Sequence, residues 1–197
     1  MAGNRPSNTS QRVVLASHNA GKVRELANAL ATLGWNLAGM DEMHLAIPEE
    51  TGTTFYENAA LKAEAAALAT ELWSLADDSG LEVDALDGAP GVFTADFGGW
   101  QRLLDVMIDL PPEQRKARFV CVLALKRPCH DVIYFTGTCQ GSISLQNLGD
   151  GGFGYDPVFI PEGDSRTFAE MTADEKATYS HRGRAVLALL EWATRCV

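Results

Sequence analysis

The chain has 197 residues, a formal net charge of -10 at pH 7 and a hydrophobic fraction of 46%. A chain of this length can bury a sizeable core unaided, and the composition excludes a disordered or collagen-like protein. The negative charge opposes general binding to DNA or RNA. A small phosphate ligand is still compatible with it, because a local cluster of cations or a metal ion can hold such a ligand in a pocket.

The cysteines and the distribution of apolar residues favour a cytoplasmic protein. The cysteines show neither a C-x-x-C pair nor the spacing of zinc ligands, so no zinc site or disulfide framework is expected. Residues 1–10 are polar and predict a disordered tail rather than a signal peptide. No apolar run approaches the roughly 18 residues that a membrane span needs. We expect a single domain over residues 11–197, located in the cytoplasm.

The start of the chain predicts a strand, a loop and a helix. Residues 12–16 predict a buried strand, because the four residues that follow Arg12 are apolar. Apolar residues then recur at helical spacing over 23–33, until Gly34 ends the pattern. A second short strand is predicted over residues 35–40.

The next predicted helix begins at a T-x-x-E capping box formed by Thr54 and Glu57. An Ala-rich pattern extends this helix to about Leu72. Residues 73–76 predict another strand, which leads into residues 77–80 and places two aspartates at its end.

Helical and extended patterns also interleave in the second half of the chain, where a helix is predicted over residues 100–108. Short strands are predicted over 119–125, 132–138 and 158–160, the first two as an antiparallel pair. Two more capping boxes pair Thr167 with Glu170 and Thr172 with Glu175, and Ser180 can cap a last helix. These patterns predict an α/β protein with a mixed twisted sheet and flanking helices.

The loop between the first strand and the first helix is the first candidate site. Its residues are Ser17, His18, Asn19, Ala20, Gly21 and Lys22. Unpaired amides at a helix N-terminus, the positive end of the helix dipole and a lysine together favour phosphate binding. The loop is not a Walker A motif, because Ala16 and Val23 stand where Gly and Ser or Thr belong. A polar turn with a solvated lysine explains the same residues.

Acidic residues form the second candidate site, with Glu49 and Glu50 in one loop and Asp77 and Asp78 at the end of a strand. In open α/β sheets ligands bind beyond the carboxyl ends of strands. Magnesium needs only one or two carboxylates when substrate phosphates supply further ligands, and one carboxylate could also act as a base. The alternative is that these acids are solvated or cap helices.

The third candidate site combines two distant segments. They contain Phe153, Gly154, Tyr155 and Asp156 in the first and Ser180, His181 and Arg182 in the second. Aromatic rings flanked by glycine can stack on a nucleobase, while His and Arg side chains can donate to keto oxygens on its edge. Taken singly, the segments also fit core or turn residues and an ordinary first turn of a helix.

Two further lysines are of interest. Lys62 lies one helical turn after Asn58 on the same face of the second helix, which allows an inward-facing polar pair. Lys176 stands beside Glu175 and equally fits a solvated ion pair of little consequence.

Taken together in this order, these segments resemble the non-canonical purine nucleotide pyrophosphatase family, also called the inosine triphosphatase or HAM1-like family. The resemblance covers nearly all of the chain after the tail. Its segments are residues 17–22, 50–55, 57–59, 62–63, 77–81, 88–91, 153–157, 170–172, 175–176 and 180–182.

The resemblance implies hydrolysis of ITP, dITP and XTP between the α- and β-phosphates, which yields a nucleoside monophosphate and pyrophosphate and cleanses the nucleotide pool. It also implies Mg2+ as cofactor, two α/β lobes around a long central cleft, and a homodimer. The expected ligand is a small-molecule nucleotide, with no nucleic acid or membrane as partner.

The resemblance also implies roles for particular residues. The loop from Ser17 to Lys22, with Lys62, would hold phosphates, and Ser79 would lie near the substrate. Asp78 would be the general base. Glu49 and Asp78 would hold the magnesium ion, with Glu50 as the alternative to Glu49. The implied base pocket consists of Phe153, Gly154, Tyr155, Asp156, Lys176, His181 and Arg182.

Two other functions fit the same residues. One is a pyrophosphatase for other modified nucleotides, such as methylated pyrimidines. The other is a nucleotide-sensing module that has lost catalysis, against which the presence of Asp78, Lys22 and Glu49 argues.

Overall fold

The computed structural model describes residues 11–46 and 48–196, so the predicted tail over 1–10 lies outside the described residues. Six strands form one sheet in the order β2-β1-β3-β4-β5-β6. The strands are β1 (Arg12–Leu15), β2 (Asn36–Gly39), β3 (Trp73–Val83), β4 (Lys116–Lys126), β5 (Ile133–Ile143) and β6 (Phe159–Pro161). The helices are α1 (Ala20–Leu30), α2 (Phe55–Thr70), α3 (Gly99–Val106), α4 (Ala173–Tyr179) and α5 (His181–Cys196). In the described part of the chain, each helix is too short or too polar to traverse a bilayer.

The sheet changes from parallel to antiparallel pairing at β3. Strand β1 runs parallel to both β2 and β3, whereas β3, β4, β5 and β6 each run antiparallel to the next. This confirms the predicted mixed sheet. The pairing of β1 with β3 reaches Leu15 opposite Leu75, and the chain then turns into α1. Beyond that point the edge of β3 borders a cavity.

The predicted end of the third strand is wrong. The strand expected over 73–76 continues through Asp77 and Asp78 to Val83, and β4 pairs with it over nearly this whole length. Two adjacent aspartates resemble a strand end because unpaired carboxylates are rarely buried. Here cations from three helices compensate both charges, so the aspartates project from the middle of a strand.

The side chains of β3 alternate between the two faces of the sheet, as the pleat requires. On one face, Leu75 packs against Leu26 of α1 and Leu189 of α5. On the other face, Ala76 packs beneath Ala63 of α2. In the first half of β3, odd-numbered residues therefore face α1 and α5, and even-numbered residues face α2.

A third apolar cluster fills the far end of the long strands. Phe119 packs there against Phe159 and Phe168, with Leu103 of α3 in the same cluster. The two ends of the sheet thus carry separate cores, in agreement with the predicted two lobes. The cavity lies between them, since Phe119 from one end and Val92 from the other both line it.

Local sequence signals act as predicted at several helix ends. All three capping boxes form, at Thr54, Thr167 and Thr172. Gly34 adopts the left-handed conformation with a φ of 65° at the end of the turn that follows α1. The Ser180 hydroxyl accepts a hydrogen bond of 3.0 Å from the Gly183 amide and so caps the start of α5.

Gly137 on β5 lets the first turn of α5 approach the sheet closely. A Cβ atom at this position would overlap the carbonyl oxygen of His181 and lie 2.5 Å from the amide nitrogen of Ala185. Both neighbours are backbone atoms, so the helix itself would have to move.

We predict that Gly137→Ala lowers the free energy of unfolding by about 1–3 kcal/mol, the usual cost of overpacking, as measured by urea denaturation. The matched control is Gly39→Ala on β2, where an added Cβ has no neighbour within 4 Å. The control should change stability little. Equal effects of the two substitutions would contradict the close-approach explanation.

Candidate functional site

The cavity beside β3 has a volume of about 370 Å³ and is lined by all three groups of candidate residues. The predicted site residues that line it are Ser17, His18, Asn19, Lys22, Lys62, Asp78, Ser79, Phe153, Gly154, Tyr155, Asp156, Lys176, His181 and Arg182. Ala20, Gly21 and Glu49 are not among the described lining residues, whereas Glu50 and Asp77 are. Segments distant in sequence therefore meet in one space.

The loop before α1 presents its side chains to the cavity because it caps the helix. The Asn19 side chain accepts a hydrogen bond of 3.1 Å from the Lys22 amide, which fixes the first turn. Ala20 and Gly21 form that turn. The Phe153 ring packs so closely on Gly21 that a Cβ there would lie 2.8 Å from it. The glycine thus brings the base-pocket segment against the phosphate loop.

Asp77 is the anchor on the face of the sheet that carries α1 and α5. Its side chain is buried, with Lys22 Nζ at 2.8 Å from Oδ1 and Arg182 Nε at 2.8 Å from Oδ2. Burial alone would raise the pKa of Asp77, but the charges of Arg182 and Lys22 hold this pKa well below its usual range. The carboxylate therefore stays ionised at neutral pH and fixes both cations.

Asp78 points to the opposite face, toward α2. Its Oδ1 atom accepts a hydrogen bond of 2.8 Å from Lys62 Nζ, which also donates to Glu50 Oε1 at 2.7 Å. Both Lys62 and Asn58 are buried, which confirms the predicted inward-facing polar pair. Burial favours the neutral amine, but Asp78 and Glu50 raise the pKa of Lys62, so the lysine stays charged.

The second oxygen of Asp78 has no hydrogen-bond partner among the described residues, although it is buried. Burial raises the pKa of Asp78, and the charge of Lys62 offsets this only in part. A raised pKa makes the carboxylate a stronger base than a solvated aspartate. An unpaired buried oxygen beside a cavity is also a position that a cation or a water molecule can satisfy.

The two neighbouring glutamates differ in their surroundings. Glu50 holds Lys62, whereas no hydrogen bond or ion pair engages Glu49 within the described residues, and its side chain is exposed. Clusters of three or more His, Cys, Asp or Glu residues positioned for a metal ion are absent from residues 11–46 and 48–196. Magnesium does not require such a cluster when a substrate supplies phosphate oxygens.

Aromatic side chains form the other end of the cavity. The His181 ring stacks on Phe119 with the ring centroids 4.6 Å apart and the planes 12° apart. Phe153 lies beneath Lys176, whose Nζ is 4.7 Å from the ring centroid. Tyr155 is buried in the adjacent apolar cluster and donates a hydrogen bond of 3.1 Å to the Thr94 carbonyl, so it also serves the core.

His181 is a neutral polar group in this pocket. Burial, together with the positive charge of Arg182, holds the pKa of His181 well below its usual range. Its Nδ1 atom is buried with no hydrogen-bond partner in the described part of the protein. A ligand atom in the cavity can satisfy the ring because neutral histidine carries one N–H donor and one acceptor.

Sequence reasoning missed Glu25 and Cys121. Glu25 of α1 accepts from Lys176 Nζ at 2.8 Å and also contacts Arg182, while Cys121 Sγ lies 3.2 Å from Asp77 Oδ2. Helical spacing could have suggested Glu25, which lies three residues after Lys22 on the same face of α1. Nothing in the local sequence marks Cys121, whose contact depends on the pairing of β3 with β4.

Comparisons with known proteins agree with this geometry. Residues 13–192 match the model of the Ham1 family. A dITP/XTP pyrophosphatase of Thermus thermophilus is 51% identical over 187 residues, covering 91% of this chain and 90% of that protein. The dITP/XTP pyrophosphatase of Escherichia coli strain K12 is 46% identical over 191 residues, covering 92% and 97%.

Solved structures show the same fold. A HAM1 protein from Coxiella burnetii superposes with a TM-score of 0.86 at 37% identity, covering 94% of this chain and 100% of that one. The Staphylococcus aureus Ham1 protein gives 0.81 at 36% identity, covering 92% and 97%. The family match spans almost the whole described chain, and the relatives align along nearly their full lengths. The chain therefore belongs to the Ham1 family.

Proposed function

We propose that this protein hydrolyses non-canonical purine nucleoside triphosphates, namely ITP, dITP and XTP, to the nucleoside monophosphate and pyrophosphate. This activity would cleanse the nucleotide pool of deaminated purines. The proposal depends on one observation. Lys22, Lys62 and Asp78 line the same cavity, and aromatic side chains line its other end. The names of the relatives, dITP/XTP pyrophosphatases, support the same reaction.

The phosphate end would bind the triphosphate through Lys22, Lys62 and the amides at the start of α1. These groups offset the negative charge that otherwise keeps a nucleophile away from the phosphorus atom. Both lysines are paired with aspartates, which hold their positive charges at the cavity. Binding would then exchange a carboxylate partner for a phosphate partner.

Asp78 and Glu49 are the carboxylates proposed to hold magnesium, with Glu50 as the alternative to Glu49. The unpaired buried oxygen of Asp78 fits a cation ligand, and Glu49 is free of other partners among the described residues. Glu50 lines the cavity, which Glu49 does not among the described lining residues, but Lys62 already occupies one oxygen of Glu50. When bound, the ion would neutralise phosphate charge and polarise the bond to be cut.

Asp78 would act as the general base. Its raised pKa favours proton uptake from a water molecule, one of its oxygens has no partner among the described residues, and the residue lines the cavity together with both lysines. Lys62 would keep the carboxylate oriented through the hydrogen bond of 2.8 Å to Oδ1. Ser79 would lie near the substrate on the other face of β3.

Base selection would depend on His181 and Arg182, with Phe153 as the stacking surface. Hypoxanthine and xanthine present a keto oxygen at the 6-position, which accepts from N–H donors, whereas adenine presents an amino group there. A buried donor left facing an amino group can discriminate by roughly 10⁴. Gly154, Tyr155, Asp156 and Lys176 would shape this pocket.

Each of the two alternative functions would give a different experimental result. A pyrophosphatase for other modified nucleotides, such as methylated pyrimidines, would prefer them in a substrate panel. A catalytically silent binding module would bind ITP tightly without magnesium-dependent turnover. The homodimer and the cytoplasmic location remain predictions.

The substrate proposal predicts rapid pyrophosphate release from ITP and XTP in magnesium buffer. ATP should be slower by at least about 10² because the 6-amino group of adenine leaves the donors of the pocket unmatched, whereas GTP shares the 6-keto group of ITP and reports on recognition at the 2-position. Pyrophosphate release from the four nucleotides at equal concentration is the measurement. Equal turnover across the set, or none, would refute the proposed selectivity.

The base assignment predicts that Asp78→Asn lowers kcat for ITP by at least about 10², the usual scale for loss of a general base. Circular dichroism and thermal melting serve as the folding control, since Asn keeps the shape of the side chain. If the folded Asp78→Asn variant hydrolyses ITP at the wild-type rate, Asp78 is not the general base.

The metal assignment predicts that Glu49→Gln raises the magnesium concentration for half-maximal activity about tenfold or more, because loss of a group that only supports a metal ligand already lowers metal affinity by about 10- to 100-fold. Glu50→Gln is the matched control, with the same change of charge one residue away. It should act mainly on KM for ITP through Lys62. The reverse pattern would assign the ion to Glu50.

A further inference from the structure

Charged side chains form a continuous chain along the wall of the cavity, from its phosphate end to its base end. In order, its members are Lys22, Asp77, Arg182, Glu25, Lys176 and Asp156. Charges alternate along it, and each neighbouring pair is in direct contact. Since Lys22 belongs to the proposed phosphate site and Lys176 and Asp156 to the proposed base pocket, this charge chain joins the two ends of the cavity.

Asp77 is the member through which Lys22 and Arg182 interact. Its Oδ1 atom accepts from Lys22 Nζ at 2.8 Å and from Ser79 Oγ at 2.9 Å. Arg182 Nη2 lies 3.5 Å from the same Oδ1 atom, although Arg182 Nε is 2.8 Å from Oδ2. The guanidinium therefore makes one close contact with the carboxylate. Lys22 and Ser79 occupy the oxygen that a second close contact would use, and Arg182 Nη2 donates to Ser79 Oγ at 2.9 Å.

The two cations differ in their freedom to move. The Lys22 side chain is 17% exposed, while that of Arg182 is 4% exposed and is also held by Glu25. A phosphate in the cavity can thus draw Lys22 away from Asp77, whereas Arg182 remains paired with Asp77 and Glu25. The buried carboxylate would then need to recover charge compensation from its remaining partner.

We propose that Asp77 couples the two ends of the cavity: when a phosphate group takes Lys22, Asp77 binds Arg182 more closely and fixes its guanidinium beside the base pocket. Asp77 is then a positioning residue that acts through Lys22 and Arg182. This inference rests on the proposed function, because it assumes phosphate at one end and a nucleobase at the other.

The coupling must be reciprocal, since the two binding free energies are linked. A phosphate group bound at Lys22 raises the affinity for a base, and a bound base raises the affinity for phosphate. A nucleoside triphosphate occupies both ends of the cavity, so its affinity includes the full coupling free energy. Free pyrophosphate or a free nucleoside occupies one end, so its affinity does not include the coupling.

The test uses two ligands that each fill one end, inosine and pyrophosphate, with isothermal titration calorimetry in magnesium buffer. In the wild-type protein, saturating pyrophosphate should lower the Kd of inosine at least about fivefold, the low end of measured coupling between sites. In Asp77→Asn, pyrophosphate should change the Kd of inosine less than about twofold, because the shared charge is gone.

The matched control is Asp96→Asn, which removes the same charge from an exposed aspartate next to a residue that lines the cavity. This variant should keep the wild-type coupling. A purely structural role of Asp77 would weaken both affinities without abolishing their dependence on each other.

An unchanged Kd of inosine in the wild-type protein would overturn the proposal, whether or not Asp77→Asn folds. Coupling retained in a folded Asp77→Asn protein, or lost in Asp96→Asn, would also overturn it. Failure of the proposed function is detected separately, by measuring hydrolysis of ITP. The calorimetric test does not depend on catalysis, because inosine carries no phosphate that could be hydrolysed.

Discussion

The compensation of two adjacent buried carboxylates by cations from opposite faces of one strand underlies the whole site. The pleat of β3 directs Asp77 toward Lys22 and Arg182 and directs Asp78 toward Lys62. Removing one partner of such a buried pair leaves an uncompensated charge, which is strongly destabilising. The three helices that supply these cations are thereby tied to the sheet at the edge of the cavity.

Because side chains alternate between the two faces of β3, the adjacent residues Asp77 and Asp78 have different chemical roles. Asp77 has all its oxygens engaged and a depressed pKa, which suits an anchor. Asp78 keeps one oxygen unpaired and has a raised pKa, which suits a base or a metal ligand. Neighbouring acids can thus serve structure and chemistry at once, because they face different surroundings.

Much of the fold could be predicted from local patterns, and much of the site could not. Capping boxes and Gly34 report helix ends because those signals act over a few residues. The length of β3 could not be predicted, because it depends on pairing with β4 more than 30 residues later in the chain. The contact of Cys121 with Asp77 could not be predicted for the same reason. Helical spacing from Lys22 could indicate Glu25, but its partner Lys176 is brought close only by the tertiary fold. The resemblance supplied the grouping of the segments, which composition and periodicity alone would have left as separate weak candidates.

The central claim is that the two lysines and the two aspartates form one phosphate site next to a base pocket. It is tested most directly by a crystal structure with magnesium and an ITP analogue whose α,β-bridging oxygen is replaced by an imido group. The account predicts that Lys22 and Lys62 contact the phosphates, that Asp78 lies beside the bridging position and that the base stacks on Phe153. A triphosphate bound away from β3, or bound with both lysines still paired only to the aspartates, would contradict it.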